Sequence, residues 1–159
     1  MADEPELVHG TCVALGRRAA LLRGPSGCGK SDLALRFLFL ARRGPAALEA
    51  PALISDDQVV LRRDGDRLLV SAPESIKAQM EVRGIGIVGV KPAPEAELML
   101  VVDLVDPGMV ERFPIRDVKA RISDVELPLL RLAPFEASAP IKLALALARA
   151  SAEPPPRSA

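Results

Sequence analysis

The chain has 159 residues, 49% of them hydrophobic, which matches one ordinary domain able to bury one substantial core. Its 21 Lys and Arg balance its 21 Asp and Glu, so no net field gathers nucleic acid or an anionic membrane surface. Aromatic residues make up 3%, with no Trp or Tyr, which removes the stacking platforms that single-stranded nucleic acid binders use.

The start of the chain is acidic and is not followed by the apolar segment of a secretory signal, and no run reaches the 18 apolar residues of a spanning helix. A cytoplasmic protein without membrane contact is expected, with Cys12 and Cys28 as free thiols. Residues 1–7 and 153–159 read as frayed tails around one domain at 8–152; the second tail holds three successive prolines. The mean hydropathy of +0.21 is compatible with buried surface between subunits of a homo-oligomer.

Residues 13–15 and 19–22 read as strands around a tight turn at Gly16, the second feeding a glycine-rich loop. Residues 30–43 read as a helix, stopped by Gly44-Pro45 and apolar almost all round, as a helix packed on a sheet is. Residues 52–54 form a short strand ending at Ser55-Asp56-Asp57, and 58–62 with 67–71 a hairpin around Asp64-Gly65-Asp66. Further strands are expected at 98–103 and 126–132, and an apolar helix at 140–150 with proline in its first turn. The fold class is therefore α/β with a mixed sheet and flanking helices.

Gly24-Pro25-Ser26-Gly27-Cys28-Gly29-Lys30-Ser31 matches G-x-x-x-x-G-K-[ST] at every fixed position, between a strand and a helix. The glycines let backbone N–H groups turn toward phosphate oxygens, and the helix N-terminus adds its positive end. Lys30 would reach the β and γ phosphates of a nucleotide, and the Ser31 hydroxyl would ligate Mg2+. Cys28 fills a variable position, where a small residue serves; a redox brake is the rarer use. ATP and Mg2+ are the expected cofactors.

Phosphoryl transfer also needs carboxylates, and two strand ends compete to supply them. Asp56-Asp57 follows one; Asp103 ends the other, 98–103. Adjacent carboxylates near a metal resist ionising together, which suits one of them to proton acceptance; the alternative is that they cap a turn. Residues 84–89 spell G-x-G-x-x-G, but Val90-Lys91-Pro92 follows instead of a helix, so they read as a glycine-rich loop carrying Glu81 and Arg83. His9, the only histidine, and Arg112 carry no signal of their own.

Taken in order, His9-Gly10, the loop ending at Ser31, Asp56-Asp57 and Glu81-Val82-Arg83-Gly84-Ile85-Gly86 resemble the catalytic domain of HPr kinase/phosphorylase, in a short form consisting of that domain only. The resemblance covers about residues 8–150. It implies a fold like that of phosphoenolpyruvate carboxykinase and a serine kinase acting on the phosphocarrier HPr or its nitrogen-system paralogue. It further implies that residues 24–31 bind nucleotide, that Ser31 and Glu81, with Asp56, hold Mg2+, that Asp57 is the base, and that His9 assists near the phosphates. Arg112 matches a family arginine that follows an Asp, although Glu111 stands in the Asp position here. The family segment linked to dephosphorylation ends in Gly-Arg-Asn; residues 134–140 contain neither Gly nor Arg, so the resemblance does not extend to a phosphorylase. The other readings are a small-molecule kinase and a nucleotide-dependent switch without transfer.

Overall fold

The structure, a computed structural model, describes residues 4–40, 49–93, 95–113 and 118–150. Its frame is a mixed sheet in the order β1 (Glu6–His9), β5 (Gln58–Asp64), β6 (Arg67–Ser71), β9 (Ala96–Leu104), β3 (Arg18–Arg23), β2 (Thr11–Leu15), β4 (Pro51–Ser55). β11 (Val125–Leu132) joins β9, and β10 (Lys119–Ile122) pairs with β11. β9 runs parallel to both β3 and β11, while the other pairings are antiparallel. The α/β class and the mixed sheet expected from the sequence are both observed.

β2 and β3 lie in the middle, and their near-continuous apolar runs bury both faces. Val13, Leu15, Ala20 and Leu22 face a core shared with Leu33 and Phe37 of α1 (Lys30–Leu38) and Leu143 and Leu147 of α2 (Ala139–Ala150). Cys12, Ala14, Ala19 and Leu21 face the opposite way, onto Val59, Leu61, Leu68 and Val70. The sheet thus curls so that β5 and β6 cover its second face, and the alternation of a strand sorts each residue into one core or the other. Phe37 is fully buried, which contributes about 2–3 kcal/mol of transfer free energy.

Three elements differ from their expected extents. α1 ends at Leu38 instead of running to Arg43: the Leu40 N–H bonds the Phe37 carbonyl in a tighter turn, and Phe39 projects into solvent. Residues 41–43 lie outside the described residues. The stretch around 84–89 is not a simple loop, since β7 (Gln79–Val82) and β8 (Gly86–Gly89) form a separate hairpin, anchored through Met80 in the α1 core. No helix follows β8, in keeping with rejection of the dinucleotide motif. Glu6 and Leu7, placed by the sequence in a frayed tail, belong to β1, where pairing with Leu61 and Val60 holds them. The tail at 153–159 lies outside the described residues.

Candidate active site

β3 delivers the chain into the glycine-rich loop, and α1 begins at its far end. Gly29 is the residue before the helix, with φ +102 and no side-chain cap on the first N–H groups. Those donors are therefore left for an anion. A Cβ at Gly29 would also lie 2.9 Å from the Phe135 ring, so both backbone conformation and space demand glycine there.

Lys30 is only 7% exposed, and its ammonium donates to the carbonyls of Gly24 (2.7 Å) and Pro25 (3.0 Å). The Cys28 Sγ lies 3.8 Å from the same nitrogen. The lysine thus folds back along the inside of its own loop, which keeps a nearly buried cation satisfied.

The acidic pair stands on the β4 side of the loop. The Ser31 hydroxyl donates to Asp56 Oδ1 at 2.7 Å, and the Thr11 hydroxyl donates to the same oxygen at 3.0 Å. Asp57 sits at φ +70, and the Gln58 N–H reaches over it to the Asp56 carbonyl at 2.8 Å. This is a γ-turn of the rare, positive-φ form, a conformation that costs energy and that Asp tolerates better than most residues. The Gly10 N–H donates to the Asp57 carbonyl at 2.9 Å, and the Ser55 hydroxyl bonds the Gln58 carbonyl. These bonds fix the turn so that successive carboxylates diverge, Asp56 onto Ser31 and Asp57 toward His9. His9 Nδ1 lies 3.5 Å from Asp57 Oδ1, with both side chains more than half exposed.

On the β9 side, Arg23 and Asp103 form a bidentate pair (2.8 and 3.1 Å) at adjacent strand ends. Beyond them opens a cleft of about 700 Å³. Pro25, Gly27 and Cys28 of the loop form one wall; Leu104, Met109 and Phe135 form much of the other. Phe135 is 70% exposed, yet it is held in place. Arg36 of α1 donates to the carbonyls of Pro134 and Glu136 on either side of it.

The structure thus joins His9 to Asp57, and Ser31 to Asp56, around the loop that carries Lys30. Glu81 is exposed on β7 and Arg112 is exposed after β9; neither bonds to the other site residues among those described. Arg112 stacks on Phe113 at 5.7 Å. Sequence reasoning missed Thr11, Arg36 and Phe135. A hydroxyl opening an otherwise apolar strand, directly after Gly10, was the available signal for Thr11. Nothing local marked the other two.

The donor set near the loop consists of oxygens from Ser31 and Asp56, which suits magnesium, a hard cation that takes few protein ligands and completes its shell with water and phosphate. Among the described residues no group of three His, Cys, Asp or Glu side chains converges on one point, so a cage that would hold a metal without nucleotide is not built from them.

The family described as HPr Serine kinase C-terminal domain matches residues 1–145. The chain belongs to this family. Among its relatives, the HPr kinase/phosphorylase of Geobacillus thermodenitrificans is 36% identical over 136 residues, covering 79% of this chain and 41% of that protein. The HPr kinase/phosphorylase of an Exiguobacterium species is 37% identical over the same length and shares. The chain therefore spans about two fifths of the length of these relatives. The structure of the HPr(Ser) kinase/phosphatase from Coxiella burnetii superposes with a TM-score of 0.67 at 21% identity, over 91% of this chain and 94% of that one. This likeness establishes a shared fold. No helix among the described residues is long and apolar enough to cross a membrane.

Proposed function

We propose that the chain is an ATP- and Mg2+-dependent serine kinase that phosphorylates the phosphocarrier HPr or its nitrogen-system paralogue. The observation that carries the reading is the contact between Ser31 and Asp56 at 2.7 Å, with Asp57 next in sequence on a turn that directs it elsewhere. One carboxylate is thereby committed to the phosphate loop and its neighbour is left free.

In this reading residues 24–31 wrap the polyphosphate of ATP, and Lys30 leaves the Gly24 and Pro25 carbonyls for the β and γ phosphates. The nucleoside enters the cleft lined by Cys28, Leu104 and Phe135, whose apolar walls and exposed ring suit a flat base. Ser31, Asp56 and Glu81 hold magnesium. When bound, magnesium neutralises charge on the transferring phosphoryl group. Asp57 accepts the proton of the substrate serine as its Oγ forms a bond to the γ phosphorus. The bond from that phosphorus to the bridging oxygen breaks, and ADP leaves. His9, close to Asp57, and Arg112 assist near the phosphates. Family membership supports HPr as the substrate, because the relatives bear that name.

The test is mass spectrometry of HPr and of its nitrogen-system paralogue after incubation with this protein, ATP and magnesium. A mass gain of one phosphate on serine is expected on one of them, and none when EDTA is added. Label from ATP appearing only in a metabolite pool would establish a small-molecule kinase instead. Bound ATP with no transfer to any acceptor would establish a switch.

A further inference from the structure

We infer that Thr11 is a positioning residue that holds the Asp56 carboxylate in place for a magnesium–nucleotide complex; this rests on the nucleotide-binding reading above. Asp56 Oδ1 accepts two hydroxyls from two different elements, Ser31 in the first turn of α1 and Thr11 at the start of β2. The two donors are not equivalent. Ser31 is partly open to solvent, so its hydroxyl oxygen can face a cation, whereas Thr11 has 0% exposure and touches neither water nor ligand.

Thr11 is the one polar residue of β2, among Cys12, Val13, Ala14 and Leu15, all buried. A buried hydroxyl without a partner costs about 1–3 kcal/mol, so Thr11 needs Asp56 as firmly as Asp56 is held by it. Its branched side chain restricts χ1, so the direction of the hydroxyl is fixed by the strand. Backbone pairing adds to this on both sides, through Gly10 N–H to the Asp57 carbonyl and the Cys12–Ser55 register of β2 with β4. Asp56 Oδ2 has no hydrogen bond from a described residue, and it is not among buried unpaired atoms, so it faces solvent. One oxygen is thus fastened from beneath and the other presented. Groups standing behind a metal ligand in this way typically change metal affinity or activity about 10–100-fold when removed.

The experiment compares Thr11→Val, which keeps the shape and removes the hydroxyl, with Thr11→Ser, which restores it. Each full chain is titrated with a fluorescent ATP analogue in EDTA and again in increasing magnesium. The Val variant is expected to bind nucleotide in EDTA as the unmodified chain does, and to need about 10-fold more magnesium to reach its tight-binding state. Thr11→Ser is expected to return the magnesium response to within about threefold of normal. Thermal unfolding is followed in parallel, and Thr11→Ala replaces the Val variant if the latter does not fold. A Val or Ala variant with the normal magnesium response overturns the inference while leaving the kinase reading intact. A loss of affinity that is equal with and without magnesium, or is not rescued by serine, also overturns it, since a purely structural role predicts that pattern. An unmodified chain whose nucleotide binding ignores magnesium would overturn both readings together.

Discussion

Asp57→Asn separates the chemical role of this residue from its structural one. The backbone at Asp57 has φ +70, a region that Asn tolerates as well as Asp does, so the γ-turn beneath the Gln58 N–H should persist. The ion pair lost with His9 spans 3.5 Å between side chains 54% and 73% exposed, and pairs in such water-rich surroundings contribute about 0–1 kcal/mol. Folding stability should therefore fall by less than about 1 kcal/mol, and Asp56 should stay on Ser31 and Thr11. The amide cannot accept the serine proton, however, and removing a general base slows such reactions about 10²–10⁴-fold, or roughly 3–5 kcal/mol of barrier. The assay is the initial rate of HPr phosphorylation at saturating ATP, beside urea unfolding and ATP affinity of the same sample. The expected result is a rate loss of at least about 100-fold with ATP affinity within about threefold. A variant retaining more than a tenth of the rate would refute the assignment of the base. A rate loss matched by an equal loss of ATP affinity would refute the division of labour between the two carboxylates.

Two further outcomes follow from the same geometry. Gly29→Ala places a Cβ at φ +102 and 2.9 Å from the Phe135 ring, and should lower the urea-unfolding free energy by about 1–2 kcal/mol; an unchanged midpoint would mean that the loop relaxes freely. Burial pushes the Cys12 thiol well above its ordinary value of 9.0, so a thiol reagent at pH 8 should modify only Cys28 in the folded protein and both cysteines in denaturant, with ATP slowing the first reaction. The sign for stability follows: above about pH 9 the unfolded chain releases a thiol proton that the folded chain retains, so Cys12 lowers stability as pH rises. Fast native modification of the Cys28→Ser variant would show that Cys12 is not sealed.

The parts of the molecule legible in the sequence are those whose determinants are local. The runs of β2 and β3 announce strands buried on both faces, and the fixed positions from Gly24 to Ser31 announce a strand-to-helix phosphate loop. β7 and β8 were less legible because β8 reads Gly-Ile-Val-Gly, exposed throughout, and its pairing is set by Met80 reaching the α1 core from the other strand. α1 was over-extended because Phe39 and Leu40 continue its apolar run, while only the three-dimensional packing shows that no core waits beyond Phe37. The clasp of Arg36 on Pro134 and Glu136 joins residues about 100 positions apart, and no spacing rule connects them. The same holds for Thr11 and Asp56, 45 residues apart, which meet only because β2 lies beside β4.

The choice between Asp56 and Asp103 illustrates what the fold adds to the motif. Both end strands close to the β3 exit, and Asp103 follows the longer hydrophobic run, so position alone favours neither. Their partners differ in charge. Asp103 faces the Arg23 guanidinium through two hydrogen bonds, so its charge is already neutralised and its oxygens are both engaged. Asp56 meets only neutral hydroxyls, which orient its carboxylate while leaving the negative charge uncompensated and one oxygen open. A cation arriving with a polyphosphate gains from an uncompensated carboxylate and would have to displace an arginine to use the other. The same sheet therefore builds a structural ion pair on one flank of the phosphate loop and a cation-ready carboxylate on the other, and the distinction lies in Arg23 and Thr11 more than in the aspartates themselves.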